Sequence, residues 1–150
     1  MCALALTVAT TACASTLDKD SGGDHVRGKA VVVKLNETHD DSISADQGDH
    51  TDWKKLTLKA TTIIDVNVYW DDPSVRAKVN VKDQFGGQVY ELTHEPGERE
   101  NHWKGMKLRE GDTFLEVVAE RGASVYTIEL TSGDGADDGG GGDDGTPPPE

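Results

Sequence analysis

Cysteine is scarce in this sequence. Cys2 and Cys13 both precede the patterned part of the chain, so no disulfide can staple a domain and the core must hold by itself. Aromatic residues are few, at 5%, and three of the five prolines are crowded into the last four positions. There is no apolar run of the roughly 20 residues a membrane-spanning helix needs. Basic residues are outnumbered, 15 Lys and Arg against 28 Asp and Glu. Much of the excess acid sits in two places. Glu37, Asp40, Asp41, Asp46, Asp49 and Asp52 form one group, and Asp134, Asp137, Asp138, Asp143, Asp144 and Glu150 form the other. Both would repel a phosphate backbone, which excludes nucleic acid as a partner. The hydrophobic fraction of 35% is low because the chain after Leu130 carries almost no large apolar residue, whereas Trp53 to Leu130 has the make-up of a folded segment.

The usual signatures of catalysis are also missing. No cysteine lies in the folded segment to pair with a histidine, and Ser74, Ser124 and Ser132 have no Gly-x-Ser-x-Gly elbow around them. Gly86-Gly87 leads into a strand pattern, so it offers no helix N-terminus to a phosphate. The histidines His25, His39, His50, His94 and His102 show no i, i+4 spacing and read as solvated loop residues. The chain is therefore expected not to be an enzyme.

What is present is a period of two, the mark of half-buried strands. Lys29 to Leu35 is a run of β-formers. Lys55 to Lys59 puts Leu56 and Leu58 on one face. Ile64, Val66, Val68 and Trp70 share a face, with Asp65, Asn67 and Tyr69 opposite. Val75, Ala77, Val79 and Val81 alternate with Arg76, Lys78, Asn80 and Lys82. Val89 to Leu92, Phe114 to Ala119 and Ser124 to Thr131 complete the set, the last with Tyr126, Ile128 and Leu130 inward. Asp71-Asp72-Pro73, Phe85-Gly86-Gly87 and Glu120-Arg121-Gly122 supply the turns. Glu95 to Gly105, with Pro96, Gly97 and many charges, reads as a loop. The expectation is an all-β fold, an antiparallel, jelly-roll-like β-sandwich of about 7–8 strands.

The order GDHTDWKKLTL, IIDVNVYW, AKVNVKDQFGGQV, GDTFLEVV, SVYTIELT resembles the bacterial pre-peptidase C-terminal domain over about residues 28–131. The matching positions are Asp49, Asp52 and Trp53 at a strand start, the Asp83 to Gly87 turn, Gly111 with Phe114, and Tyr126 in the final strand. Lys54 stands where that family often has a second aromatic. The resemblance implies a small β-sandwich of the kind found beside secreted proteases and in surface proteins.

The apolar stretch Ala3 to Ala12, ALALTVATTA, fits the h-region of a signal peptide. It ends in TTAC, which resembles the lipobox of bacterial lipoproteins, with Thr10 where that family usually has leucine. The resemblance implies a lipid on Cys13. Ala14 after it, in place of Asp, implies an outer-membrane destination facing the periplasm or the surface. The organisation read from the sequence is a signal peptide at 1–12, a flexible lipidated tether at 13–28, the sandwich at 29–131 and a disordered acidic Gly/Asp/Pro tail at 132–150.

The expected function is an exported, membrane-anchored, non-catalytic binding or accessory module for an unknown protein or polysaccharide. No cofactor is called for. Tyr69, on the polar face of its strand, is the candidate ligand contact. The alternative is a calcium-stabilised envelope protein. The oxygen-rich segment NETHDDSISADQGDHTD would supply the metal ligands, with Asp46, Asp49 and Asp52 foremost and Asn36 and Glu37 behind them.

Overall fold

The computed structural model describes residues 18–133. The stretch read as a signal peptide, Cys13 and nearly all of the acidic tail lie outside the described residues. Nine strands follow in chain order: β1 (Val31–Val32), β2 (Thr38–Ser44), β3 (Thr51–Leu58), β4 (Thr62–Trp70), β5 (Arg76–Lys82), β6 (Gln88–His94), β7 (Glu100–Leu108), β8 (Gly111–Arg121) and β9 (Ala123–Ser132). They form two sheets, ordered β1-β3-β8-β5-β6 and β2-β9-β4-β7. Every pairing is antiparallel except that of β1 with β3. Strand β2 lies beside β9, β3 beside β8, β4 beside β7 and β5 beside β6. That is a long hairpin folded over on itself, the jelly roll expected from the sequence.

The alternation that predicted the strands is the alternation that builds the core. In β5, Ala77, Val79 and Val81 are buried between less buried Arg76, Lys78, Asn80 and Lys82. Ile64, Val66, Val68 and Trp70 of β4 lie beside Tyr126, Ile128 and Leu130 of neighbouring β9 and pack with the inner face of the other sheet in one apolar cluster. Each such side chain removed from water contributes roughly 1.5–3 kcal/mol. The β5–β6 turn closes as its residues demand: Asp83 Oδ1 accepts the amides of Phe85 (2.9 Å) and Gly87 (2.8 Å), and Gly86 takes a φ of 91°.

Two strands were not anticipated, β2 and β7, and both are edge strands. Glu95 to Gly105 was expected to be a loop, but only its first half turns; β7 begins at Glu100. The charges that made the segment look like a loop are what a sheet edge carries to discourage pairing with another chain. Gly105 sits at a bulge, where β7 holds one residue more than β4. Its φ is 71° and its amide is bonded to Asp65 Oδ1 at 2.8 Å.

Residues 18–28 fold onto the edge of the first sheet. Asp18 Oδ1 accepts the amides of His50 (2.9 Å) and Thr51 (2.7 Å), and the Asp20 amide bonds to Gly48 O at 2.6 Å. The Trp53 amide reaches Asp24 O at 3.0 Å. The Arg27 guanidinium lies 4.3 Å above the Phe114 ring and bonds to Gln84 O. The segment has little apolar surface to bury, and it orders instead by satisfying polar groups at the start of β3.

Ile128→Ala, at a fully buried site of β9, is expected to cost about 2–5 kcal/mol in chemical denaturation. Val125→Ala on the same strand, where the side chain is 46% exposed, is expected to change stability by less than about 0.5 kcal/mol.

Candidate functional site

Strand parity carries two charged residues into the interior. In β3, Leu56 and Leu58 face inward, so Lys54 and Asp52 two and four residues before Leu56 face inward as well. Both are buried, Lys54 at 2% and Asp52 at 1% exposure. They meet Asp41 from β2 on the opposite sheet, Asp24 from the N-terminal segment and Asp49 from the β2–β3 turn. Lys54 Nζ is bonded to Asp41 Oδ2 and to Asp24 Oδ2 (3.0 Å), and lies 4.0 Å from Asp52 Oδ2. Tyr126 of β9, completely buried, donates its hydroxyl to Asp52 Oδ2 at 2.7 Å, and its ring centre is 5.9 Å from the ammonium. Asp24, Asp49 and Asp52 each place a carboxylate oxygen within 4.8 Å of the others. Asp24 Oδ1 is buried without a hydrogen-bond partner.

Burial and mutual repulsion shift these groups. Asp52 is pushed up to about 8, mainly by burial, with the charges of Asp24 and Asp41 adding to the effect and Lys54 and the Tyr126 hydroxyl opposing it. Asp49 is pushed up to about 6 by burial and by Asp24, Asp41 and Asp18. For Lys54, burial works against the charged form. The hydrogen bond to Asp41, the charge of Asp52 and the bond to Asp24 outweigh it, and the lysine is held above its ordinary value. Burial and the neighbouring Asp52 raise the Tyr126 phenol well above its ordinary value, so it remains a donor.

Of the five residues proposed as calcium ligands, the structure brings two into this corner, Asp49 and Asp52. Asp46 is exposed in the β2–β3 turn. Asn36 and Glu37 stand at the far end of β2, where Glu37 pairs with Lys34 at 3.4 Å. Four strand steps at about 3.3 Å each put Glu37 roughly 13 Å from Asp41, the nearest member of the corner along β2. The acidic segment is pulled apart because its middle is a strand rather than a loop. Asp24, Asp41, Lys54 and Tyr126 were missed. Counting back in twos from Leu56 would have found Lys54, and the inward assignment of Tyr126 already placed its ring between the sheets.

The histidines do not gather. His94, expected to be solvated, is fully buried in β6 and stacks on Trp70 with ring centres 4.5 Å apart. Asn101 Oδ1 joins the pair, 2.9 Å from Trp70 Nε1 and 2.8 Å from His94 Nδ1. His102 is exposed on β7, with Nδ1 2.8 Å from Asn67 Oδ1. Trp70 is in the core at 2% exposure, as strand parity requires.

Tyr69 emerges on the outer face of the second sheet, 37% exposed, and packs edge-on against His102 with ring centres 6.0 Å apart. Around it the face is polar and cross-linked. Asn67 Nδ2 donates to Glu129 at 3.4 Å and Thr127 Oγ1 to Asp40 at 2.6 Å. Two depressions mark the surface of the described residues. One, of about 380 Å³, adjoins the acidic corner and is lined by Asp20, Ser42, Ser44, Gln47 and Asp49 among others. The other, of about 1130 Å³, lies between the β5–β6 and β7–β8 turns and includes Phe85, Val89, Lys107 and Arg109.

No known family model matches the chain, and no curated protein matches it in sequence. Solved structures do. The pre-peptidase C-terminal domain of a collagenase from Bacillus anthracis superposes with a TM-score of 0.56 at 18% identity, covering 68% of this chain and 94% of that one. This likeness shows a shared sandwich fold. A surface-associated copper-binding protein of Methylomicrobium album BG8 gives a TM-score of 0.46 at 7% identity, over 67% of this chain and 97% of that one. A family 35 carbohydrate-binding module from an environmental isolate gives 0.42 at 18% identity, over 62% and 69%.

The raised carboxyls make stability depend on pH. From about pH 4 the folded chain holds protons that the unfolded chain has released, on Asp49 up to about pH 6 and on Asp52 up to about pH 8, so stability falls as pH rises. Thermal unfolding is expected to show a higher midpoint at pH 5 than at pH 8, and Asp52→Asn is expected to flatten the slope between pH 6 and 8. An unchanged slope in that variant would contradict the assignment to Asp52.

Proposed function

We propose that the chain is a non-catalytic accessory module of the bacterial envelope. It is exported, held at the outer membrane by a lipid on Cys13, and binds a protein or polysaccharide through the outer face of the β2-β9-β4-β7 sheet. The observation that carries the binding role is the Tyr69–His102 pair on that face. An aromatic edge set among fixed amides, hydroxyls and carboxylates suits a flat, polyhydroxylated or peptide surface, since the ring supplies apolar area and the neighbours supply orientation. Likeness to the collagenase's pre-peptidase domain over nearly all of that domain's length supports an accessory role beside other envelope or secreted machinery.

A calcium-stabilised structural role is the second reading, favoured by the approach of Asp24, Asp49 and Asp52 within 4.8 Å. In it the metal would strengthen the sandwich and the outer sheet face would have no ligand.

Two measurements test the leading proposal. Mass spectrometry of the protein purified from cells is expected to find an acylated Cys13 as the first residue, whereas an intact Met1 would remove the anchor. Binding to isolated envelope polysaccharides and proteins is expected to fall about tenfold or more on Tyr69→Ala, with the unfolding midpoint unchanged. Undiminished binding would move the contact off this sheet face.

A further inference from the structure

The acidic corner has the donors of a metal cage, yet a lysine already stands among them. We infer that Lys54 is the resident cation of this corner: its ammonium, bonded to Asp24 and Asp41 and 4.0 Å from Asp52, supplies the positive charge that a divalent ion on Asp24, Asp49 and Asp52 would otherwise bring, and it fastens the N-terminal segment to the sandwich without metal.

Three features support this. The carboxylates come from separate parts of the chain, Asp24 from the N-terminal segment, Asp41 from one sheet and Asp52 from the other, so whatever neutralises them also ties those parts together. An ammonium has three N–H donors, and this one is bonded to the Asp41 and Asp24 carboxylates, with the Asp52 carboxyl group 4.0 Å away. At 2% exposure the Lys54 ammonium is held inside the corner and not extended into solvent, which would leave the place to an ion. Calcium would need six to eight oxygens at about 2.3–2.6 Å. Any ion drawing on the Asp24 and Asp52 carboxylates would stand next to the ammonium and be repelled by it. Asp24 Oδ1, buried and without a donor, is an oxygen the ammonium leaves over, and it becomes a ligand once the lysine is gone.

This goes beyond the binding proposal and does not depend on it, because it concerns the interior and not the outer sheet face. It opposes the calcium-stabilised reading directly. The test uses the full chain, unfolded thermally in EDTA and again with millimolar calcium chloride. For the unaltered protein the midpoint is expected to be the same in both. Lys54→Met keeps the length of the side chain and removes the charge. It is expected to melt several degrees lower in EDTA, to recover part of the loss in calcium, and to be cut by protease within residues 18–29 more readily in EDTA than in calcium. Lys54→Arg, which keeps the charge, is expected to remain insensitive to calcium. A midpoint of the unaltered protein that rises by several degrees with calcium would overturn the inference, and that arm stands even if Lys54→Met does not fold. A Lys54→Met protein as stable as the parent in EDTA, or one unresponsive to calcium, would overturn it as well.

Discussion

A charge between two packed sheets is tolerable only where opposite charge and hydrogen bonds replace the water it has lost. This constraint organises one whole side of the molecule. Lys54 and Asp52 are carried inward by the same alternation that buries Leu56 and Leu58, and their solvation is supplied by Asp41 across the sandwich, Asp24 from outside it and the Tyr126 hydroxyl beneath. Deleting one partner of such a group costs about 3–5 kcal/mol, because the other is left buried and unpaired. The N-terminal segment, the β2 edge and the start of β3 therefore stand or fall together. Elsewhere the sandwich rests on apolar packing, and its charges sit at the surface in pairs such as Lys82 with Glu116 and Arg76 with Glu95.

The interior strands were legible from sequence because each presents one face to the core, and that face must alternate. The assignments of Val66, Val68, Trp70, Val79 and Ile128 to the interior and of Tyr69 to the exterior all follow from parity. The edge strands β2 and β7 were not legible. An edge strand needs few buried side chains and gains from charge, so Thr-His-Asp-Asp-Ser and Glu-Asn-His-Trp-Lys carry a loop's composition in a strand's geometry. The acidic corner was half legible. Asp49 and Asp52 drew attention as crowded carboxylates, but the partner that answers them is a lysine, and lysine is rarely sought inside a core. Asp24 is thirty positions before Lys54 in a stretch that has no periodicity, so nothing local marks it.

The two faces of the second sheet divide the work of the domain. Inward, it completes the core with Ile128 and Leu130. Outward, it offers Tyr69, His102, Asn67, Thr127 and Glu129 on strands held in register by their neighbours. A ligand taken up there, as proposed, would meet side chains already held by contacts to one another, with little rearrangement to pay for. The aromatic poverty of the chain gives this weight, because most of its other aromatic rings are occupied. Trp70 and Tyr126 are in the core, and Trp53 is wedged between Phe114 and the Lys82 ammonium.

Under the proposed lipid anchor, the folding of residues 18–28 onto the sheet would also set how far the sandwich can stand from a bilayer. If Cys13 carries a lipid, four residues separate it from Asp18, whose carboxylate is bolted to the backbone of His50 and Thr51. A stretch of that length spans at most about 15–20 Å when fully extended. The domain would then ride close to the headgroups like a boat on a short mooring, its β1–β3 edge toward the lipid and the choice of partner limited to what comes within reach of that berth.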